Sequence, residues 1–207
     1  ADAAKADPIA AGLDPAAFEA KPLALMDAYC VHLRKLIQDG VSGGSTGASA
    51  GDTGKKADDK PLAGMKIVVD AGNGSGGFFA EKVLAPLGAD VSGSQFLEPD
   101  GMFPNHAPNP ENKAAMEAIS SQVLRTGADL GLIFDTDVDR SAAVDEQGRE
   151  IARNGIVAMA AALVAEGHPG TTVVTDSITS RQLTEFLEGE LGLKHLRYRR
   201  GYKNVIN

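Results

Sequence analysis

Leu130-Gly131-Leu132-Ile133-Phe134-Asp135-Thr136-Asp137-Val138-Asp139-Arg140 is an apolar run that stops abruptly in three alternating aspartates and an arginine. The uncharged residues Leu130 to Phe134, bounded upstream by Gly127-Ala128-Asp129, predict a short core strand, and the aspartates fall in the loop after it. About 5 Å apart at an effective dielectric near 20, each pair of carboxylates would repel by roughly 3 kcal/mol, a cost that a divalent cation removes. With neither Cys nor His nearby in sequence, the donors are all oxygen, which suits Mg²⁺ or Ca²⁺ and not zinc. An EF-hand reading puts Glu146 at position twelve, but position six is Arg140 instead of glycine and the flanks are strand-like. Arg140 beside the cluster points to an anionic partner, a phosphate that shares the metal and accepts the guanidinium fork. Taken alone, Asp-x-Asp-x-Asp is equally a solvated acidic turn; its place at a strand end favours a ligand site.

Upstream of this stretch, Met65-Lys66-Ile67-Val68-Val69-Asp70 predicts a strand, and Ala71-Gly72-Asn73-Gly74-Ser75-Gly76-Gly77 a glycine turn. Phe78, Phe79, Val83, Leu84 and Leu87 then recur at helical spacing. Gly72, Gly74 and Gly77 fit the dinucleotide pattern G-x-G-x-x-G, yet the same glycines serve a tight turn with close helix-on-sheet contact, and that structural reading is preferred. Residues 89–96 predict a second strand and 98–110 a long Pro/Asn-rich loop. Glu111 to Arg125 predict a helix with Ala115, Ile119 and Val123 inward. Strand, helix, strand, helix, strand implies an α/β fold with a mostly parallel sheet covered by helices, and puts the aspartates at a strand's carboxyl end, where such sheets bind ligands.

Downstream, 141–145 and 150–151 flank Glu146-Gln147-Gly148-Arg149 as a hairpin. Helices follow at 155–166 and 180–191, with a strand at 171–175 between them. The tail from His195 to Asn207 reads as a strand running into a glycine turn with no element to close against, the start of a further domain. Arg197, Arg199, Arg200 and Lys203 crowd this end.

At the other end, residues 1–22 look like a loosely held lead-in, and the absence of an initial methionine suggests processing or truncation. Leu23, Met26, Cys30, Leu33 and Ile37 predict an amphipathic helix over 22–39, ended by Gly40. Residues 42–60 hold no large apolar side chain and read as a flexible linker or insertion.

Composition bounds the function. At 207 residues and 43% hydrophobic content the chain can bury a proper core. A formal charge of −8 argues against general nucleic-acid or membrane-surface binding. The single cysteine, Cys30, fits a reducing compartment, cytoplasm or plastid stroma.

Several stretches, taken in order, carry a family resemblance. They are Lys66-Ile67-Val68-Val69-Asp70-Ala71-Gly72-Asn73-Gly74, Glu98 to Pro104, Pro108-Asn109-Pro110-Glu111, Gly127 to Gly131, Asp135 to Arg140, Val144 to Gly148 and Gly201-Tyr202-Lys203. Together they resemble the second domain, and the start of the third, of an α-D-phosphohexomutase such as phosphoglucomutase or phosphomannomutase. The resemblance implies transfer of phosphate between C1 and C6 of a hexose phosphate, glucose or mannose phosphate, through an enzyme phosphoserine. It implies Asp135, Asp137 and Asp139 as Mg²⁺ ligands, Arg140 on phosphate, and Lys203 reaching the site from the third domain. It also implies domains: the end of a first domain at 1–41, a linker at 42–60, the metal-binding α/β domain at 61–194 and a third domain starting at 195. The remaining mutase domains would be its partners, and since no serine motif of the family occurs in the chain, these residues alone are expected to be inactive. One departure is visible: the family usually has a small residue where Val138 stands. Two other readings remain at this stage. Asp135 as nucleophile and Asp137 as general acid would suit a haloacid-dehalogenase-type phosphatase, and the domain could be a non-catalytic Mg²⁺-binding or interaction module.

Overall fold

The computed structural model describes residues 24–41, 59–165, 167–201 and 203–204. The lead-in at 1–22 and the linker at 42–60, Asp59 and Lys60 apart, lie outside the described residues. The fold is mixed α/β with two small sheets. The first has the order β1 (Ile67–Asp70), β2 (Leu130–Phe134), β3 (Ser141–Asp145). β1 and β2 are parallel, with Ile67 beside Leu130 and Asp70 beside Ile133; β3 runs antiparallel to β2.

Both faces of this sheet are covered, which is why β1 carries an unbroken apolar run. Ile67 and Val69 point to one side, where they meet Leu84, Leu87 and Phe134. Val68 points to the other, joining Ile119, Val123, Ile133 and Val144. The split follows the two-residue period of a strand. The first side is closed by a helical segment of mixed winding, a 3-10 turn at Ser75–Gly77, a π turn at Phe79–Leu84 and a 3-10 turn at Ala85–Leu87. The second side is closed by α2 (Lys113–Thr126). Asn112 caps α2 by accepting from the Ala114 and Ala115 N–H groups, and Gly127 ends it in the left-handed conformation. Helix α1 (Leu25–Val41) buries Cys30 and rests Ile37 on the first apolar cluster, while Met26 from the expected stripe is 42% exposed.

Three expectations change. The strand expected at 89–96 is reduced to isolated bridges at Asp90 and Gln95. A turn closed by the Ser94 N–H on the Val91 carbonyl breaks it, and the Ser94 hydroxyl accepts from the Val69 N–H where a strand's carbonyl would have done so. The hairpin turn at 145–149 forms, but its returning arm is one bridge, Val144 to Glu150, on the edge of β3 away from β2. And the strand near the end has a partner after all. β5 (Lys194–Tyr198) pairs in parallel with β4 (Thr172–Asp176) to form the second sheet. With α3 (Arg153–Ala165), α4 (Arg181–Glu185) and a π turn at Phe186–Glu190 it surrounds a core of Leu183, Leu187 and Leu193. The region 61–194, read from sequence as one domain, thus carries both the first sheet and most of a second.

Candidate metal centre

β2 delivers Asp135 to the carboxyl end of the first sheet, fully buried, and the chain turns out to leave Asp137 and Asp139 exposed. One carboxylate oxygen from each of the three lies within 4.8 Å of the others. Arg140 folds back over the group. Its backbone N–H donates to Asp135 Oδ1 at 3.0 Å, and its Nε donates to Asp135 Oδ2 at 2.8 Å and to Asp139 Oδ1 at 3.3 Å. Nη1 reaches Asn109 Oδ1 at 3.4 Å.

The charges sort accordingly. Burial pushes Asp135 up, but the Arg140 N–H, the bond shared with Asp139 and the guanidinium outweigh it and hold its carboxyl below the usual range. Asp139 is pushed up by its bond with Asp135 and by the charges of Asp137 and Asp135. Arg140 is held above its ordinary value by the bond to Asp135. A cluster in which one carboxyl has to be raised is short of positive charge. Three hard oxygen donors converging in this way fit a divalent cation of the Mg²⁺ or Ca²⁺ kind.

The glycine turn serves this loop. The Ser75 N–H and hydroxyl both donate to the Thr136 carbonyl, at 2.9 and 3.0 Å. A Cβ on Gly74 would sit 2.8 Å from that oxygen, and one on Gly77 only 1.9 Å from the Leu97 carbonyl. These glycines permit close backbone approach, the structural role expected of them. Asp70, buried at the root of the turn, accepts from the Gly72 N–H at 2.8 Å, Gln95 Nε2 at 2.8 Å and His106 Nε2 at 3.0 Å. The Asn73 side chain donates to the Glu98 carbonyl and accepts from Asn105 Nδ2. Together they give the long loop at 98–110 its path, which ends with Asn109 against Arg140.

From Asn109 the contacts continue away from the aspartates. The Glu111 N–H donates to Asn109 Oδ1 at 3.0 Å, and Glu111 Oε1 accepts from Arg153 at 2.8 Å. Arg153 lines a cavity of about 480 Å³ with Glu150, Asn154, Asp176 and Thr179. The cavity lies at the carboxyl end of β4, the position at which parallel sheets take ligands.

Of the residues singled out from sequence, Asp135, Asp137, Asp139 and Arg140 are brought together. Lys203 is not joined to them: it is exposed and makes no hydrogen bond or ion pair with a described residue. Asn109, Ser75 and Arg153 were missed. Asn109 lay inside the quoted Pro-Asn-Pro stretch, but neither Ser75 nor Arg153 carried a signal, since a serine in a glycine turn and an arginine at a helix start are ordinary in sequence. The phosphatase alternative loses ground, because it needs Asp135 as a nucleophile and Asp135 is buried with both oxygens engaged by Arg140.

Fold and site together define an α/β domain with an acidic loop at a strand's carboxyl end. Residues 51–148 match the family model for the phosphoglucomutase/phosphomannomutase alpha/beta/alpha domain II. The chain is 36% identical over 141 residues to a phosphomannomutase/phosphoglucomutase of Pseudomonas syringae pv. tomato, covering 68% of this chain and 30% of that protein. It is 36% identical over 124 residues to a phosphoglucomutase of Neisseria meningitidis, covering 60% of this chain and 27% of that one. The crystal structure of a phosphoglucomutase/phosphomannomutase family protein from Burkholderia thailandensis superposes with a TM-score of 0.64 at 31% identity, over 68% of this chain and 30% of its own. The family model, the relatives and the solved structure together support the phosphohexomutase superfamily. It spans about 30% of the length of the first of these relatives.

Proposed function

We propose that the chain is the metal-binding portion of a phosphohexomutase, an isomerase that moves phosphate between C1 and C6 of a glucose or mannose phosphate through a phosphoserine on the enzyme. The observation that carries this reading is the convergence of Asp135, Asp137 and Asp139 within 4.8 Å, in a chain that matches the family's second domain. When bound, Mg²⁺ would neutralise charge on the transferring phosphoryl group. Asp135 would hold its ligand position through burial and Arg140, while the Arg140 guanidinium, anchored on Asp135 and Asn109, would donate to the phosphate. Lys203 would belong to the next domain and approach from there. The cavity beside Arg153 would lie between the metal loop and that domain, room for a sugar phosphate. On this reading the domain boundary falls between the two sheets, and the other mutase domains supply the serine and the remaining sugar contacts. The single cysteine, Cys30, supports a reducing compartment, the cytoplasm or the plastid stroma.

One preparation tests the proposal. Millimolar Mg²⁺ should raise the melting temperature of the 207-residue chain, and Asp137→Ala should abolish the rise. The same chain, assayed with glucose-1-phosphate, bisphosphate activator and Mg²⁺, should give no turnover above background. Coincident melts with and without Mg²⁺ sink the metal site, and clear turnover means the nucleophile lies within these residues.

A further inference from the structure

The three aspartates are not held alike. Asp135 is fixed by burial and by two bonds from Arg140, and Asp139 by the Arg140 Nε. Asp137 takes no hydrogen bond or ion pair from any described residue, so only its backbone aims it. On its C-terminal side that backbone is set by Val138, which turns left-handed at φ 66°. On its N-terminal side it is set by the peptide whose carbonyl belongs to Thr136, and that carbonyl is where Ser75 places both of its donors. A carbonyl oxygen has two lone pairs, and here Ser75 fills both. The peptide between Thr136 and Asp137 cannot rotate without giving up two bonds.

We propose that Ser75 is a positioning residue of the acidic loop, which fixes the direction of Asp137 and through it the affinity for a divalent cation. The inference rests on the metal reading above. Its physical content is pre-organisation: a ligand already aimed loses less freedom when the ion arrives. The bare backbone of Gly74 is what lets Ser75 come this close, since a side chain there would collide with the same carbonyl.

Ser75→Ala keeps the N–H and removes the hydroxyl, and Ser75→Thr restores it. The probe is Mn²⁺, a hard ion that accepts the same oxygen donors. Its binding to the whole chain is read from the loss of the free-ion paramagnetic resonance signal, with Mg²⁺ as competitor. One hydroxyl-to-carbonyl bond corresponds to an affinity loss of about three- to tenfold for Ser75→Ala. The metal-free melting temperature should stay where it is, and Ser75→Thr should bring the affinity back. Equal affinities for wild type and Ser75→Ala overturn the proposal while leaving the metal site intact. A loss of affinity that merely follows a drop in metal-free melting temperature, or that threonine fails to restore, makes Ser75 an ordinary structural residue and overturns it too. If the wild-type chain binds no Mn²⁺, the metal reading itself has failed and this inference goes with it.

Discussion

The two sheets of this molecule differ in how they treat their apolar residues. In β1, four residues in a row are buried, because a helical segment lies on one face and α2 on the other. In β4 and β5 the inward residues Val173, Thr175 and His195 face α4, while the register partners Val174 and Leu196 are 39% and 49% exposed on the opposite face. Helix α3 repeats the contrast: it is strongly apolar yet buries no residue, leaving Met159 and Leu163 at 59% and 74% exposure. A parallel sheet is ordinarily covered on both sides. Among the described residues, the first sheet meets that condition and the second meets half of it. The acidic loop grows from the sheet that is complete, which gives its carboxylates a rigid floor.

That contrast gives the largest expected effect. Ile133 is fully buried beside Ile119 and Val144, so Ile133→Ala should lower stability by about 2–5 kcal/mol. Val174→Ser, made on the uncovered face, should change it by no more than about 0.5 kcal/mol. Urea denaturation of both variants decides the matter. A large loss at Val174 would mean that the second sheet's outer face is covered after all.

The same comparison explains what could be read from sequence. β1, α2 and β2 were legible because each has a pattern that survives into the fold: the apolar run from Ile67 to Val69, the inward spacing of Ala115, Ile119 and Val123, and the abrupt end at Asp135. Residues 89–96 misled because a serine hydroxyl can stand in for a strand's carbonyl, which no hydrophobic pattern reveals. The pairing of β5 was missed because its partner is β4, across α4 in sequence, and a two-stranded sheet with one bare face has a weak apolar signature. In the site, the aspartates and Arg140 announced themselves by charge. Ser75 and Asn109 act through a hydroxyl and an amide on backbone or guanidinium, contacts made only once the fold has brought distant segments together.

Acid should act on the second sheet before the first. Burial holds His195 below its ordinary value of 6.5 against the upward pull of Glu188, with a smaller downward push from Arg197. Its ring nitrogens meet the hydroxyls of Thr184 and Thr175, each at 2.8 Å, and a neutral ring can accept from one of them. A histidine depressed in the folded state contributes stability that is full above about pH 6.5 and is lost as pH falls through its folded value. The lowered carboxyls of Asp135 and Asp145, by contrast, hold their contribution until pH falls below about 3.8. Hydrogen exchange should therefore show β4 and β5 amides losing protection as pH falls below about 6.5, while β1 and β2 are unmoved. His195→Gln should flatten that step; a step of the same size in the variant would remove His195 as its cause.

The smallest effect expected is at Val138, and it sharpens the comparison inside the site itself. A β-branched residue in the left-handed region carries a strain of roughly 1–2 kcal/mol. Val138 sits there at φ 66° while its side chain, half-buried, packs on the cluster that includes Phe134. Replacing it with glycine removes the strain but also removes the packing and adds freedom to the unfolded chain, two losses of about 1 kcal/mol each. The terms nearly cancel, so Val138→Gly should lie within about 1 kcal/mol of wild type. Val144, buried in β3 with strand geometry, has no strain to release, and Val144→Gly should cost several times as much. Equilibrium unfolding of the two variants side by side measures the difference. Equal losses would mean that the left-handed turn at Val138 stores nothing, and that the acidic loop is shaped by packing alone.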